Sequence, residues 1–367
     1  MTTGHRIPAV RISQGLPKGE GWASLRRFFL FLLSALIFIV SLVVMKEGAT
    51  PLSPVLRGLF AIHDPANTLG FGWFLASLAL SGSPVAAASL TFLDAGALTP
   101  LECFTMIAGS RLGAAFIVLL VGFLYVLRGK QRQVSLGAGL LSILVTQSTY
   151  LLALPLGYLA LTHSRVLGVA TLPALPLQSP FERLLQPAVA LLEGRVPVWV
   201  LFPIGFALIL VSFALFDRAL PDLHLESTGV GRINRLLYRP AISFILGAGL
   251  TALTLSVSLS LSVLVPLSVR GYIRQENAIP YIMGANITTF ADTLLAAALL
   301  ANPAGVRIVA VHMLSVAVVS ILILGIGFRP YERLLSRLTR TIGSGRLTLL
   351  LFLLLSLGVP LCLMLFA

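Results

Sequence analysis

The chain has 367 residues, 57% of them hydrophobic and only 11% charged. A water-soluble domain carries about twice that charge to cover its surface, so the composition excludes one. The net charge of +13 would point to nucleic acid in a soluble protein. In a membrane protein it reflects Lys- and Arg-rich cytoplasmic loops, and no nucleic-acid partner is expected.

The elements follow in chain order. Residues 1–27 form a basic N-terminal segment, placed in the cytoplasm. An apolar run over 28–45 is long enough to cross the hydrocarbon layer. It is too long for a secretory signal, and no small-residue cleavage site follows at Met45-Lys46-Glu47. Residues 48–62 read as an interfacial helix. The stretch 68–93 is apolar but broken by Ser81-Gly82-Ser83-Pro84, as in a re-entrant hairpin. Crossings follow at 101–127 and 134–162. Residues 163–196 are proline-rich and amphipathic and read as an external linker. A crossing at 197–219 leads through an interfacial segment, 220–238, into a second broken stretch at 240–268. Crossings at 276–300 and 304–326, a basic loop at 329–346 and a final crossing at 347–366 complete the chain. The two cysteines, Cys103 and Cys362, lie in apolar segments, which argues against a disulfide framework and a structural zinc site.

Charge orients this arrangement. With the N-terminus in the cytoplasm, 19 of the 26 Lys and Arg residues fall inside and six outside, with Arg111 left within a membrane segment. That asymmetry is the one expected of membrane proteins. The basic loop is therefore read as a topology signal.

The chain also repeats itself. Shifted by 175 residues, 72–120 matches its counterpart at 11 of 49 positions. Leu80-Ser81-Gly82-Ser83 falls on Leu255-Ser256-Val257-Ser258, Gly72 on Gly247, and Gly109 on Gly284. The first copy begins inside and the second outside, so the copies are inverted. The expected fold is an all-α polytopic membrane protein of two inverted-topology repeats, each with a re-entrant helical hairpin. The first repeat spans 28–162 and the second 197–326, joined by the 163–196 linker. Residues 327–367 supply the basic cytoplasmic loop and the last transmembrane helix. Paired, interrupted segments of this kind place a transport site near the midplane.

The breaks suggest how a solute is held. Irregular backbone at membrane depth survives only when it is buried or lines a wet cavity. Ser83 reads as an N-cap with Pro84 at the first helical position, aiming a positive dipole end at an anion. In the second copy Ser256, Ser258, Ser260 and Ser262 recur with a period of two. An extended stretch would align their hydroxyls on one face as ligands for a hard cation. The competing reading is that the serines only let helices approach closely. Beyond each break, at the same distance, comes Gly109-Ser110-Arg111 or Gly284-Ala285-Asn286-Ile287-Thr288-Thr289. Asn286, Thr288 and Thr289 offer neutral oxygens and donors. Arg111 offers a permanent charge that suits phosphate or carboxylate. Asp292 lies two turns past Asn286. Ionisable groups in the membrane mark function by default. Arg111 and Asp292 are expected to face the central cavity, either as a pair or as separate ligands, with a structural ion pair as the alternative. The candidate substrate- and ion-binding residues are Ser81, Ser83, Arg111, Ser256, Ser258, Asn286, Thr288, Thr289 and Asp292. Gln147-Ser148-Thr149 reads as helix-packing glue and His312 as a structural histidine. No Walker loop, HExxH motif or Ser/His/Asp set is present, so no enzymatic activity and no resident cofactor are expected.

Together these residues resemble the sodium/phosphate cotransporter family, the type II carriers and their bacterial relatives. That family has two inverted repeats, each with a Gln-Ser-Ser-Ser motif and then a Gly-Ala-Asn-Ile-Gly-Thr-Thr motif. Gly284-Ala285-Asn286-Ile287-Thr288-Thr289 looks like the latter. Met45-Lys46-Glu47-Gly48 looks like its Met-Ser-Glu-Gly turn, and Phe92-Leu93-Asp94-Ala95-Gly96 like the segment between the motifs. Arg307-Ile308-Val309-Ala310-Val311-His312 is similar to its Arg-x-Ala-x-x-His helix start. The departures are specific. Leu80 and Leu255 replace the two glutamines, Arg111 replaces the first asparagine, and Ala114 and Ala115 replace the first threonines.

The resemblance implies a symporter in a bacterial-type plasma (inner) membrane, with phosphate or a similar small oxyanion as cargo and sodium as the coupling ion. The departures point to altered or absent sodium coupling. A transport-inactive scaffold or sensor of the same architecture is the alternative. The long hydrophobic surfaces fit lipid and would accommodate a homodimer.

Overall fold

The computed structural model describes residues 20–59, 64–129, 132–163, 196–220, 239–269 and 275–366. Among them every regular element is a helix, in line with a chain whose backbone must satisfy its own hydrogen bonds in lipid. Seven helical stretches are apolar and long enough to span a bilayer, and they coincide with the seven expected crossings. The chain is an integral membrane protein.

The first helix, α1 (Glu20–Leu59), runs unbroken through Pro51 and Pro54. Residues 48–59 are therefore its continuation, not a separate interfacial helix, and Met45-Lys46-Glu47-Gly48 is helical rather than a turn. α1 lies antiparallel to α7 (Leu201–Ala219). Phe38 packs on Phe213, Phe31 on Phe216, and the Ser212 hydroxyl donates to Ser34 O at 2.7 Å. Towards the other end, Gly48 sits against the Phe202 backbone and Gly205 against Met45.

α2 (Pro65–Ala79) is capped by Asp64, whose side chain accepts from Ala66 N and Asn67 N. It ends at Leu80, which is in the left-handed region with φ of 52°. Ser81 and Gly82 make the turn, and α3 (Ser83–Asp94) leaves it. α4 (Pro100–Ala114) starts with a full capping box between Thr99 and Glu102. It bends at Ala115 into α5 (Phe116–Leu127), and α6 (Arg132–His163) follows.

The second half runs in the same order. α8 (Pro240–Thr254) ends at Leu255, also left-handed with φ of 47°. Two short helices, α9 (Val257–Ser262) and α10 (Leu264–Val269), follow the break. α11 (Gln275–Thr288) bends at Thr289 into α12 (Phe290–Leu299), and α13 (Pro303–Ile326) comes next. A residue other than glycine pays steric strain at positive φ, so finding one at both breaks is informative.

The helix crossings repeat as well. A Cβ on Gly72 would run into the Met106 carbonyl, and one on Gly109 into that of Leu69. A Cβ on Gly247 would run into the Tyr281 carbonyl, and one on Gly284 into that of Phe244. Each partner in the second set lies 175 residues beyond its partner in the first. The α2–α4 and α8–α11 contacts are thus one crossing built twice. Small residues bring the backbones together, as is usual between membrane helices.

Residues 329–346, expected as a loop, fall mainly in α14 (Phe328–Ser344). Leu335, Thr339 and Gly343 face inward, while Arg329, Arg333, Arg337 and Arg340 are exposed. Ser148 on α6 meets the Tyr331 hydroxyl of α14 at 2.7 Å. The last helix, α15 (Arg346–Phe366), closes on α2, where Asn67 Nδ2 donates to Leu363 O at 3.1 Å. Most of the 163–196 linker and of the 220–238 segment lies outside the described residues.

Candidate functional site

The two breaks face each other across one cavity of about 360 Å³. Leu80, Ser81, Gly82 and Ser83 line it from the first half, and Leu255, Ser256, Val257 and Ser262 from the second. Asp217, in the last turn of α7, completes the polar part of the wall. Its carboxylate accepts a hydrogen bond from Ser256, and its Oδ1 has no protein partner among the described residues.

Capping at the first break differs from the expectation by one residue. Gly82, not Ser83, is the N-cap of α3, and it makes no side-chain cap. Ser83 is already helical, which leaves its hydroxyl to accept from Arg111 Nη1 at 3.4 Å. The second break differs more. The four serines do not form an extended face, because Val257–Ser262 is helical. Positions two apart on a helix point to opposite sides. Ser262 lines the cavity, whereas Ser260 is within 2.9 Å of the Tyr281 hydroxyl. Ser258 lies on α9, but its side chain is outside the described residues.

Arg111 sits behind Ser83, with its side chain 1% exposed. Its Nη1 donates to Thr289 Oγ1 at 3.2 Å and its Nη2 to Asp292 Oδ1 at 3.2 Å. Nη2 also donates to Thr293 Oγ1, whose own hydroxyl reaches Asp292 Oδ1 at 2.9 Å. The Phe290 ring lies 5.0 Å from the guanidinium carbon, within cation–π range. Arg111 and Asp292 therefore meet as a pair. Asp292 also borders an apolar cavity of about 210 Å³ walled by Phe31, Phe38, Phe213 and Phe216.

The remaining candidates are placed by neighbouring helices. Asn286 Nδ2 donates to Thr146 Oγ1 of α6 at 3.1 Å, and its carbonyl accepts from the Tyr150 hydroxyl at 2.8 Å. Thr288 donates to Ala248 O at 2.9 Å, so its hydroxyl joins α11 to α8. His312 is fully buried among Phe104, Tyr150 and Phe290. Outside this centre, Lys46 Nζ pairs with Asp94 Oδ2 at 2.9 Å, and Asn302 Nδ2 donates to Asp94 Oδ1 at 3.1 Å. That triad ties α1, α3 and the start of α13.

The structure thus gathers Ser81, Ser83 and Ser256 around one cavity. Arg111, Thr289 and Asp292 form a polar cluster directly behind it, reached through Ser83. Asn286 and Thr288 face helices instead. Sequence reasoning missed Asp217 and Thr293. Asp217 carries a readable signal, an acidic group in an apolar crossing, but its neighbour Arg218 makes the pair look like an ordinary helix end. Thr293 carries no such signal.

The sequence family described as Na+/Pi-cotransporter matches residues 206–361, and this match supports placing the chain in that family. No curated protein and no solved structure matches.

Proposed function

We propose that this chain, which matches the Na+/Pi-cotransporter family over residues 206–361, is a secondary transporter for inorganic phosphate or a similar small oxyanion. The single observation that carries the reading is the shared cavity: two chain breaks 175 residues apart converge on one space, where Ser81, Ser83, Ser256, Ser262 and Asp217 supply polar groups within a largely apolar wall. In this reading the two halves are inverted repeats and the breaks are the tips of re-entrant hairpins. The antiparallel run of α1 and α7, the paired left-handed leucines and the duplicated glycine crossing support it. Alternating access then comes from one half rocking against the other around the cavity.

The cavity chemistry suits phosphate. Serine hydroxyls donate to anionic oxygens, and Arg111, its charge paired with Asp292, reaches the wall from behind Ser83. The Asp217 carboxylate accepts a hydrogen bond from a protonated phosphate oxygen. At neutral pH phosphate keeps at least one P–OH to offer, whereas sulfate has none. Uptake of labelled phosphate into proteoliposomes tests the reading. Saturable, protein-dependent accumulation is expected. No uptake of any oxyanion under any ion gradient would refute it and favour a scaffold or sensor.

A further inference from the structure

The cluster around Arg111 has the composition of a cation site. Four side-chain oxygens converge on the guanidinium: Ser83 Oγ, Thr289 Oγ1, Asp292 Oδ1 and Thr293 Oγ1. One carboxylate and three hydroxyls form a hard-oxygen donor set whose single negative charge matches a monovalent ion. The oxygens come from both halves of the chain, at the start of α3 and on either side of the start of α12.

Two observations separate this from a simple structural ion pair. First, the Arg–Asp contact is single-pronged. Asp292 Oδ2 and Arg111 Nε have no hydrogen-bond partner among the described residues, so the fork geometry that makes arginine a strong carboxylate partner is not used. The guanidinium acts instead as a point charge shared among four oxygens. Second, the helix crossing does not need the charge. The second half builds the same glycine crossing with the neutral Asn286 in the equivalent place, bonded to Thr146.

We propose that the Arg111 guanidinium is a built-in cation. It fills a site whose oxygens would otherwise take a free sodium ion, so this position binds no sodium and its charge never dissociates. The functional consequence, transport without sodium coupling at this position, rests on the transporter reading. The test does not.

The purified full chain is melted in sodium chloride and in choline chloride at equal ionic strength, for the wild type, Arg111→Ser and Arg111→Ser/Asp292→Asn. Phosphate is left out, so failure here is distinct from failure of the uptake experiment. Removing the side chain opens the cage to the free ion. Arg111→Ser is expected to gain a sodium-specific rise in its midpoint of roughly 2 °C or more over any response of the wild type. The double variant, lacking the carboxylate, is expected to lose that gain. Recovery of Arg111→Ser in sodium but not in choline would support the proposal equally. A folded Arg111→Ser with no gain over wild type overturns it, as does a gain that survives in the double variant. Loss of Arg111→Ser in both salts also overturns it, because sodium then does not replace the guanidinium.

Discussion

Replacing Asp292 by asparagine keeps the shape of the side chain and removes the charge opposite Arg111. The Arg111 side chain is 1% exposed and that of Asp292 4%, so water cannot compensate for the loss. Breaking a buried pair from one side costs about 3–5 kcal/mol, because the surviving charge is left uncompensated. Here the hydroxyls of Ser83, Thr289 and Thr293 and the Phe290 ring still hold the guanidinium. The expected cost of Asp292→Asn is therefore near the lower end, about 3 kcal/mol. Arg111→Met should cost a similar amount by stranding the carboxylate. The double variant removes both charges, and its cost should fall short of the sum of the single ones by at least about 2 kcal/mol. Unfolding free energies from denaturing-detergent titration in mixed micelles, run in choline chloride, measure all three. Single variants within about 0.5 kcal/mol of wild type, or costs that add within the same margin, would refute a closed buried pair.

Three further outcomes follow from the geometry. Gly284→Ala should destabilise the protein by about 1–3 kcal/mol through its clash with the Phe244 carbonyl, while Gly249→Ala, which meets open space, should be neutral or stabilising by up to about 1 kcal/mol; equal midpoints for the two would contradict the crossing. Thr146→Val leaves the Asn286 amide without its partner in α6 and should cost about 1–3 kcal/mol by the same titration, an unchanged value counting against that bond. Asp217→Asn should relax discrimination against sulfate, so that sulfate inhibits labelled phosphate uptake about tenfold more strongly than in wild type, since an amide can donate where a carboxylate only repels; an unchanged inhibition constant would remove Asp217 from the anion site.

Much of this architecture is legible in the amino-acid sequence because lipid imposes length and polarity on each crossing. The seven spans emerge from apolar runs alone. The breaks are legible because Ser81-Gly82-Ser83-Pro84 and Leu255-Ser256 interrupt those runs, and the 175-residue shift pairs them before any contact is known. Other features depend on three-dimensional context. α1 continues past Lys46 through two prolines, beyond Gly48 where the start of α7 lies against it, and no local propensity encodes that continuation. α14 hides its helix behind a high charge density, which dominates the reading of a segment that buries only one narrow face. At the site, Arg111 and Asp292 stand out as ionisable residues in apolar surroundings. What each hydroxyl does is not legible. Thr288 and Thr289 are neighbours in one motif, yet Thr288 binds the α8 backbone and Thr289 binds Arg111. A one-residue shift of the α3 cap likewise turns Ser83 from a helix cap into the link between cluster and cavity.

The central claim is that phosphate occupies the space between the two breaks. Protection from thiol labelling tests it most directly. Cys362 is exposed and is first replaced by serine, whereas Cys103 is buried and can stay. Single cysteines are then placed at Ser83, at Ser256 and, as a control, at the exposed Ser344 of α14. Phosphate should slow modification by a charged thiol reagent at Ser83→Cys and at Ser256→Cys and leave Ser344→Cys unaffected. Equal labelling rates with and without phosphate at both cavity positions would contradict the account.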